Sequence, residues 1–163
     1  MYRLKISKLK DFDENNYLES AELTQEMCDI LNPRLPRNEI LSGNALVSIF
    51  SANPTSLHSS KINIIKFREA IRKGASLEQD IKFKEKTKNC ELKIELIFFI
   101  SKYYETSDID NRVKTVLDAL EGYWFVRDSQ IKKIVAEKCK VKDAKSGLKK
   151  EFYEQIYCCL SVI

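Results

Sequence analysis

The apolar positions of this chain fall into segments of period two and segments of period three to four. The clearest is residues 91–100, where Leu92, Ile94, Leu96, Phe98 and Ile100 alternate on one face. Ile97 and Phe99 make its far end apolar on both sides, which predicts a strand at the centre of a sheet. Val113, Val116, Leu117 and Leu120 then repeat at helical spacing, with Gly122 placed to end that helix in a left-handed conformation. A second long strand is expected over 130–141, with Ile131, Val135, Cys139 and Val141 on one face and Ile134 and Ala136 on the other.

The same reading places a strand over residues 152–163, with Ile156, Cys158, Leu160 and Val162 facing one way and closing the sheet. Residues 45–50 form a short apolar strand, and Ile64, Phe67 and Ile71 mark a helix closed by Gly74. Near the start, Tyr2, Leu4 and Ile6 alternate as an edge strand over residues 2–9. Leu23, Met27, Ile30 and Leu31 give a helix between residues 20 and 31, ended by Asn32-Pro33. The run Tyr123-Trp124-Phe125-Val126 is apolar and aromatic, and its Trp124 suits a core or a dimer interface better than a base-stacking platform. Strands and helices interspersed in this way predict an α+β single domain: a mixed central sheet with helices packed on it.

Composition adds limits. At 163 residues, 44% apolar and 32% charged, the chain suits one globular domain with a sizeable core. No apolar run approaches a membrane span, and the first residues do not begin a signal peptide. The five cysteines, Cys28, Cys90, Cys139, Cys158 and Cys159, are odd in number and lack Cys-x-x-Cys spacing. They read as reduced thiols in a cytosolic protein, with zinc disfavoured and Cys158 and Cys159 on opposite faces of one strand.

Charge is unevenly placed. Residues 1–40 carry six basic and eight acidic side chains, so they are not a phosphate-binding arm. Residues 59–88 carry nine basic against four acidic, and in 130–150 eight lysines against Glu137 and Asp143 give +6, more than the +4 of the whole chain. Such runs are commonly solvated surface, and equally suit a phosphate-binding flank. The Ser/Asn/Pro-rich residues 51–60 read as a loop holding the single histidine, His58, which is expected to be solvated.

Candidate chemistry centres on Asp108-Ile109-Asp110-Asn111, which leads into the helix containing Lys114 and Asp118. If the chain stays extended through this stretch, both carboxylates project to one side. Asp110 or Asn111 is the expected N-cap, and Lys114, one turn on, could come back over the acidic pair. A bland reading fits the same residues: an Asx-turn and cap, with acids favoured by the helix dipole. A calcium loop is excluded, because the sixth and twelfth positions from Asp108 are Val113 and Ala119 where Gly and Glu are needed. Hard carboxylate ligands suit magnesium.

The longer pattern is Asp-x-Asp-Asn-x-x-Lys, then Leu117-Asp118-Ala119-Leu120, then Asp128-Ser129-Gln130-Ile131. In order and spacing it resembles the RusA family of Holliday junction resolvases, most densely from residue 96 to 135. The resemblance implies a RusA-like endonuclease domain over 41–163, with residues 1–40 as an N-terminal extension packed on it. It implies a metal-dependent endodeoxyribonuclease, using magnesium with manganese as substitute, that acts as a homodimer. Such an enzyme nicks two strands of a four-way DNA junction symmetrically, in recombination and repair, within the cytoplasm of a bacterial or phage setting. Carried over, Asp108, Asp110 and Asp128 would bind the metal and Lys114 would be the catalytic lysine.

The three aspartates would then converge from a strand end, a helix start and the loop before the next strand, holding one or two ions. Two ions would lie about 4 Å apart, one activating water and the other steadying the leaving oxygen. Lys114 would offset charge on the phosphate. The expected DNA-contacting residues are Lys132, Lys133, Lys138, Lys140, Lys66 and Arg72. Two positions depart from the family pattern. Arg127 stands where a second Asp often precedes the last catalytic one, and residues 51–58 replace a Pro/Lys/Arg-rich stretch. The competing class is a non-cleaving binder of branched nucleic acid on the same fold, which would tolerate loss of the acids.

Overall fold

The computed structural model describes residues 4–5, 17–18, 25–52, 61–101, 108–141 and 154–163. Its elements in chain order are β1 (Leu4–Lys5), β2 (Tyr17–Leu18), α1 (Gln25–Leu31), a 3-10 turn (Asn32–Arg34), α2 (Arg37–Leu41) and β3 (Ala45–Ala52). There follow α3 (Lys61–Gly74), α4 (Glu78–Thr87), β4 (Leu92–Ser101), α5 (Ile109–Leu120), a second 3-10 turn (Asp128–Gln130), β5 (Ile131–Val141) and β6 (Glu154–Val162). The protein is α+β, as its periodicities predict.

The principal sheet has four strands in the order β3-β6-β4-β5. β6 runs antiparallel to both β3 and β4, whereas β4 and β5 are parallel. The last strand therefore does not close the sheet at an edge; it inserts beside the central strand. Parallel β4 and β5 need a crossover, and α5 supplies it. β1 and β2 pair separately in a two-stranded sheet, so the expected edge strand at residues 2–9 does not border the main sheet within its described part.

Two apolar clusters pack on opposite sides of the principal sheet. On one, Leu92, Ile94, Leu96, Phe98 and Ile100 meet Phe67 and Ile71 of α3, Phe83 of α4, Val116 and Leu120 of α5, and Trp124 and Phe125. On the other, Ile97, Phe99, Tyr157 and Cys159 meet Met27 and Leu31 of α1 and Leu35. Apolar residues on both faces of β4 made it central, and each face found its own layer. Trp124 is wholly buried with its ring 5.6 Å from that of Phe50, which assigns it to the core together with Phe125, while Val126 is exposed.

β6 carries Cys158 into the first cluster and Cys159 into the second, the opposed placement expected of adjacent strand residues. Burial pushes the Cys159 thiol up to about 12 and the Cys158 thiol well above its ordinary value.

Two local features differ from expectation. Between Leu92 and Lys93 the β4–β5 register shifts, so that Leu92 faces Ile131 but Lys93 faces Lys133. This bulge puts Ile131 on the first cluster's side with Ala136, while Cys139 and Val141 join the second. A strict period of two had grouped Ile131 with Cys139. The other is α4, whose buried residues are Asp80, Phe83 and Thr87. With one large apolar side chain inward and Ile81 exposed, it has no hydrophobic stripe to read.

Candidate active site

Asp108 is the N-cap of α5, with extended backbone at φ −69° and ψ 148°, and the helix begins at Ile109. The cap therefore lies two or three residues earlier than Asp110 or Asn111. Asp110 stands in the first helical turn, where its charge complements the helix dipole. The two carboxylates are not successive outward residues of an extended strand, as the alternation argument supposed. Both are exposed, as is Lys114.

Lys114 leans along the helix to Asp118, with Nζ 3.5 Å from Oδ1, away from the N-terminal acids. Asp118 also receives Arg68 of α3 at 3.4 Å. With Lys114 62% exposed, its ion pair is worth about 0.5 kcal/mol and holds it weakly.

Asp128 opens the 3-10 turn before β5. The side chain of Gln130 builds this turn: its Oε1 accepts Val126 N–H at 2.9 Å and Arg127 N–H at 3.3 Å. Its Nε2 donates to the carbonyls of Thr87 (2.9 Å) and Cys90 (3.2 Å), just before β4 begins. Gln130 thus ties the Asp128 turn to the foot of β4. The backbone N–H of Asp128 donates to Glu121 Oε1 at 3.3 Å, bringing a second carboxylate to this corner. Gly122, at φ +82°, makes the reversal between α5 and this turn, and its N–H donates to Phe125 O at 2.7 Å. Sequence reasoning did not assign Glu121 a place here, since only the fold returns residue 128 to residue 121.

This arrangement separates the acids. Asp108 and Asp110 lie beyond the end of β4, where Ser101 pairs with Val141. Asp128 lies at the other end, where Leu92 pairs with Ile131 and Gln130 reaches Cys90. Between them runs α5, whose twelve residues span about 18 Å. Among the described residues no group of three or more His, Cys, Asp or Glu side chains could hold a metal ion. The expected convergence of Asp108, Asp110 and Asp128 therefore does not occur among the described residues of one chain. The reason is topological: a parallel crossover carries the helix back along the full sheet.

The basic residues are likewise distributed. Exposed Lys132 and Lys133 sit at the start of β5, either side of its bulge, and Lys138 and Lys140 sit towards its end. Lys66 is exposed on α3. Arg72 is engaged in the fold: Nε donates to Ala119 O at 3.3 Å and Nη2 to Asp118 O at 3.4 Å, at the carbonyl end of α5. Its guanidinium also lies 5.2 Å from the Tyr123 ring centroid. Arg112, which sequence reasoning passed over, is buried with its guanidinium 5.9 Å from the Phe98 ring centroid. His58, residues 53–60 and the lysines at 142, 145, 149 and 150 lie outside the described residues.

Comparison with known proteins gives one assignment. The family model described as Endodeoxyribonuclease RusA matches residues 54–149, more than half of the chain, and the protein belongs to that family. It is a family of endodeoxyribonucleases that resolve Holliday junctions. No curated protein matches the chain. The matched span includes β4, α5 and β5 but not β3 or β6, so half of the principal sheet's strands lie outside it.

Proposed function

We propose that this protein is a magnesium-dependent endodeoxyribonuclease that cuts four-way DNA junctions in paired, symmetric fashion, in recombination and repair. Manganese would substitute for magnesium. The observation that carries the reading is the family match across 54–149, which spans Asp108, Asp110, Lys114 and Asp128 together. Asp108, Asp110 and Asp128 are the ligands proposed for the metal, and Lys114 the cation that offsets charge on the scissile phosphate. When bound, the ion would supply an activated water and stabilise the leaving oxygen. Among the described residues of one chain the three carboxylates are not gathered into a metal-holding group.

Lys132, Lys133, Lys138 and Lys140 would contact the phosphate backbone, and Lys66 would extend that contact along α3. Arg72 has a weaker claim, because its fork already serves the α5 carbonyls. A homodimer, and the cytoplasm of a bacterium or its phage, complete the reading. Among the described residues no helix is long and apolar enough to cross a membrane.

One observation favours a second reading, a non-cleaving binder of branched DNA: among the described residues the acids do not gather in one chain. Cleavage of a synthetic mobile four-way junction, with magnesium and with added EDTA, separates the two. The nuclease reading expects paired nicks that need the metal and disappear in Asp110→Asn. Tight binding with no nick under magnesium or manganese would establish the binder instead.

A further inference from the structure

β3 and β4 both run antiparallel to β6, so they point the same way, and the helices that follow them, α3 and α5, return side by side. Contacts between the helices agree: Arg68 of α3 reaches Asp118 of α5 at 3.4 Å, and Arg72, one turn on, reaches the carbonyls of Asp118 and Ala119. Both helices therefore begin at the sheet end where Ala52 faces Glu154 and Ser101 faces Val141. That is the end of Asp108 and Asp110.

On α3, Ile65 lies three residues before Arg68 and shares its face, and Ile62 lies three before Ile65. With a rise of about 1.5 Å per residue, Ile65 stands about 4.5 Å back from Arg68 and Lys114 about 6 Å back from Asp118. The two are thus nearly level across the helix pair. Ile62 is 64% exposed and Ile65 44% exposed, and no other described helix leaves two large apolar side chains in water. Their setting is basic, since α3 carries Lys61, Lys66, Arg68, Arg72 and Lys73 against Glu69 alone.

That charge suits phosphate, but a backbone contact gives the two isoleucines no role. In duplex DNA the base faces are covered by their neighbours. At a branch point the stack is easily parted, and an aliphatic side chain can seat against the base face it uncovers, as apolar wedges do between base steps.

We propose that Ile62 and Ile65 are the residues by which this protein tells a branch point from duplex. They cover the face of a nucleobase that has lost its stacking neighbour, while Lys61 and Lys66 hold the phosphates on either side. The proposal rests on the four-way junction reading for its ligand, and its test measures binding without a metal. It can therefore fail while the nuclease reading holds, and stand where no nick is seen.

Wild type and the double variant Ile62→Ser, Ile65→Ser are titrated in EDTA with a four-way junction and with a duplex of equal length. Duplex affinity should be unchanged and junction affinity about tenfold weaker, with the preference restored by Ile62→Leu, Ile65→Leu. In the same complexes, 2-aminopurine at the branch point should brighten on binding wild type, as it leaves the stack, and less so with the serine variant. No brightening with wild type, or no preference of wild type for the junction, would overturn the proposal. So would a serine variant that keeps the preference, or one that loses affinity for both DNAs alike. A change of oligomeric state in sedimentation of that variant would give the isoleucines to a second copy of the chain and overturn it too.

Discussion

At the scale of single residues, Gln130 does more than its place in the motif suggests. One buried amide satisfies two N–H groups and two carbonyls, and so fixes where Asp128 stands. Gln130→Leu keeps the volume but strands those groups, and should destabilise the fold by about 2–3 kcal/mol in urea unfolding. Nicking should fall with it even where the variant is fully folded, because the Asp128 turn loses its anchor. Gly122 is the second such residue. No heavy atom lies within 4 Å of where its Cβ would be, so Gly122→Ala meets no clash and isolates the strain of φ +82°. That strain should cost about 1 kcal/mol, read as a lower denaturation midpoint.

At the scale of elements, α5 joins fold and chemistry. Its inner face, Val116, Ala119 and Leu120, is buried against the sheet. Its outer face carries Asp110, Lys114 and Asp118. The helical stripe was plain in the sequence because the buried positions recur at i, i+3 and i+4. Its start was misplaced because Asp108, Asp110 and Asn111 are all good caps, and the choice rests on where the chain leaves β4.

The bulge beside Leu92 was invisible for a related reason. Nothing in Ile131-Lys132-Lys133 marks a register shift that depends on the neighbouring strand. β6 carries a pH prediction. Its Cys159 thiol is held near 12 against an ordinary 9.0, chiefly by burial. The fold therefore favours the protonated form, and that stability is complete below pH 9 and lost as pH rises towards 12. Thermal midpoints should fall across that window, and Cys159→Ala should flatten the fall.

At the scale of the whole molecule, charge sets how DNA is met. The chain's net charge is only +4, so attraction must come from local concentration along β5 and not from the global field. Lys138→Ala should weaken binding to four-way and duplex DNA alike, and lower the slope of log affinity against log salt by about one. An unchanged slope would remove Lys138 from the interface. The layer beneath the sheet's second face is also a whole-chain matter. Arg34 pairs with Glu137 of β5, and Leu31 is fully buried beneath the sheet. Leu31→Ala should cost about 3 kcal/mol of stability in urea unfolding while leaving metal binding unchanged.

What the sequence determined by itself is local. Alternation made β4 a strand apolar on both faces, helical spacing made α5, and the order Asp108, Asp110, Lys114, Asp128 carried the family and with it the class of chemistry. The two periodicities survive because each depends on residues within a turn or a strand of one another, and the motif survives because it is read along the chain whatever the distance in space. What only the tertiary structure decided is which end of the sheet each residue occupies. A crossover of twelve helical residues moves Asp128 away from Asp108, although the motif reads as one continuous stretch. Adjacency in sequence fixes the chain between two residues, while their distance in space depends on the direction in which β4, α5 and β5 run.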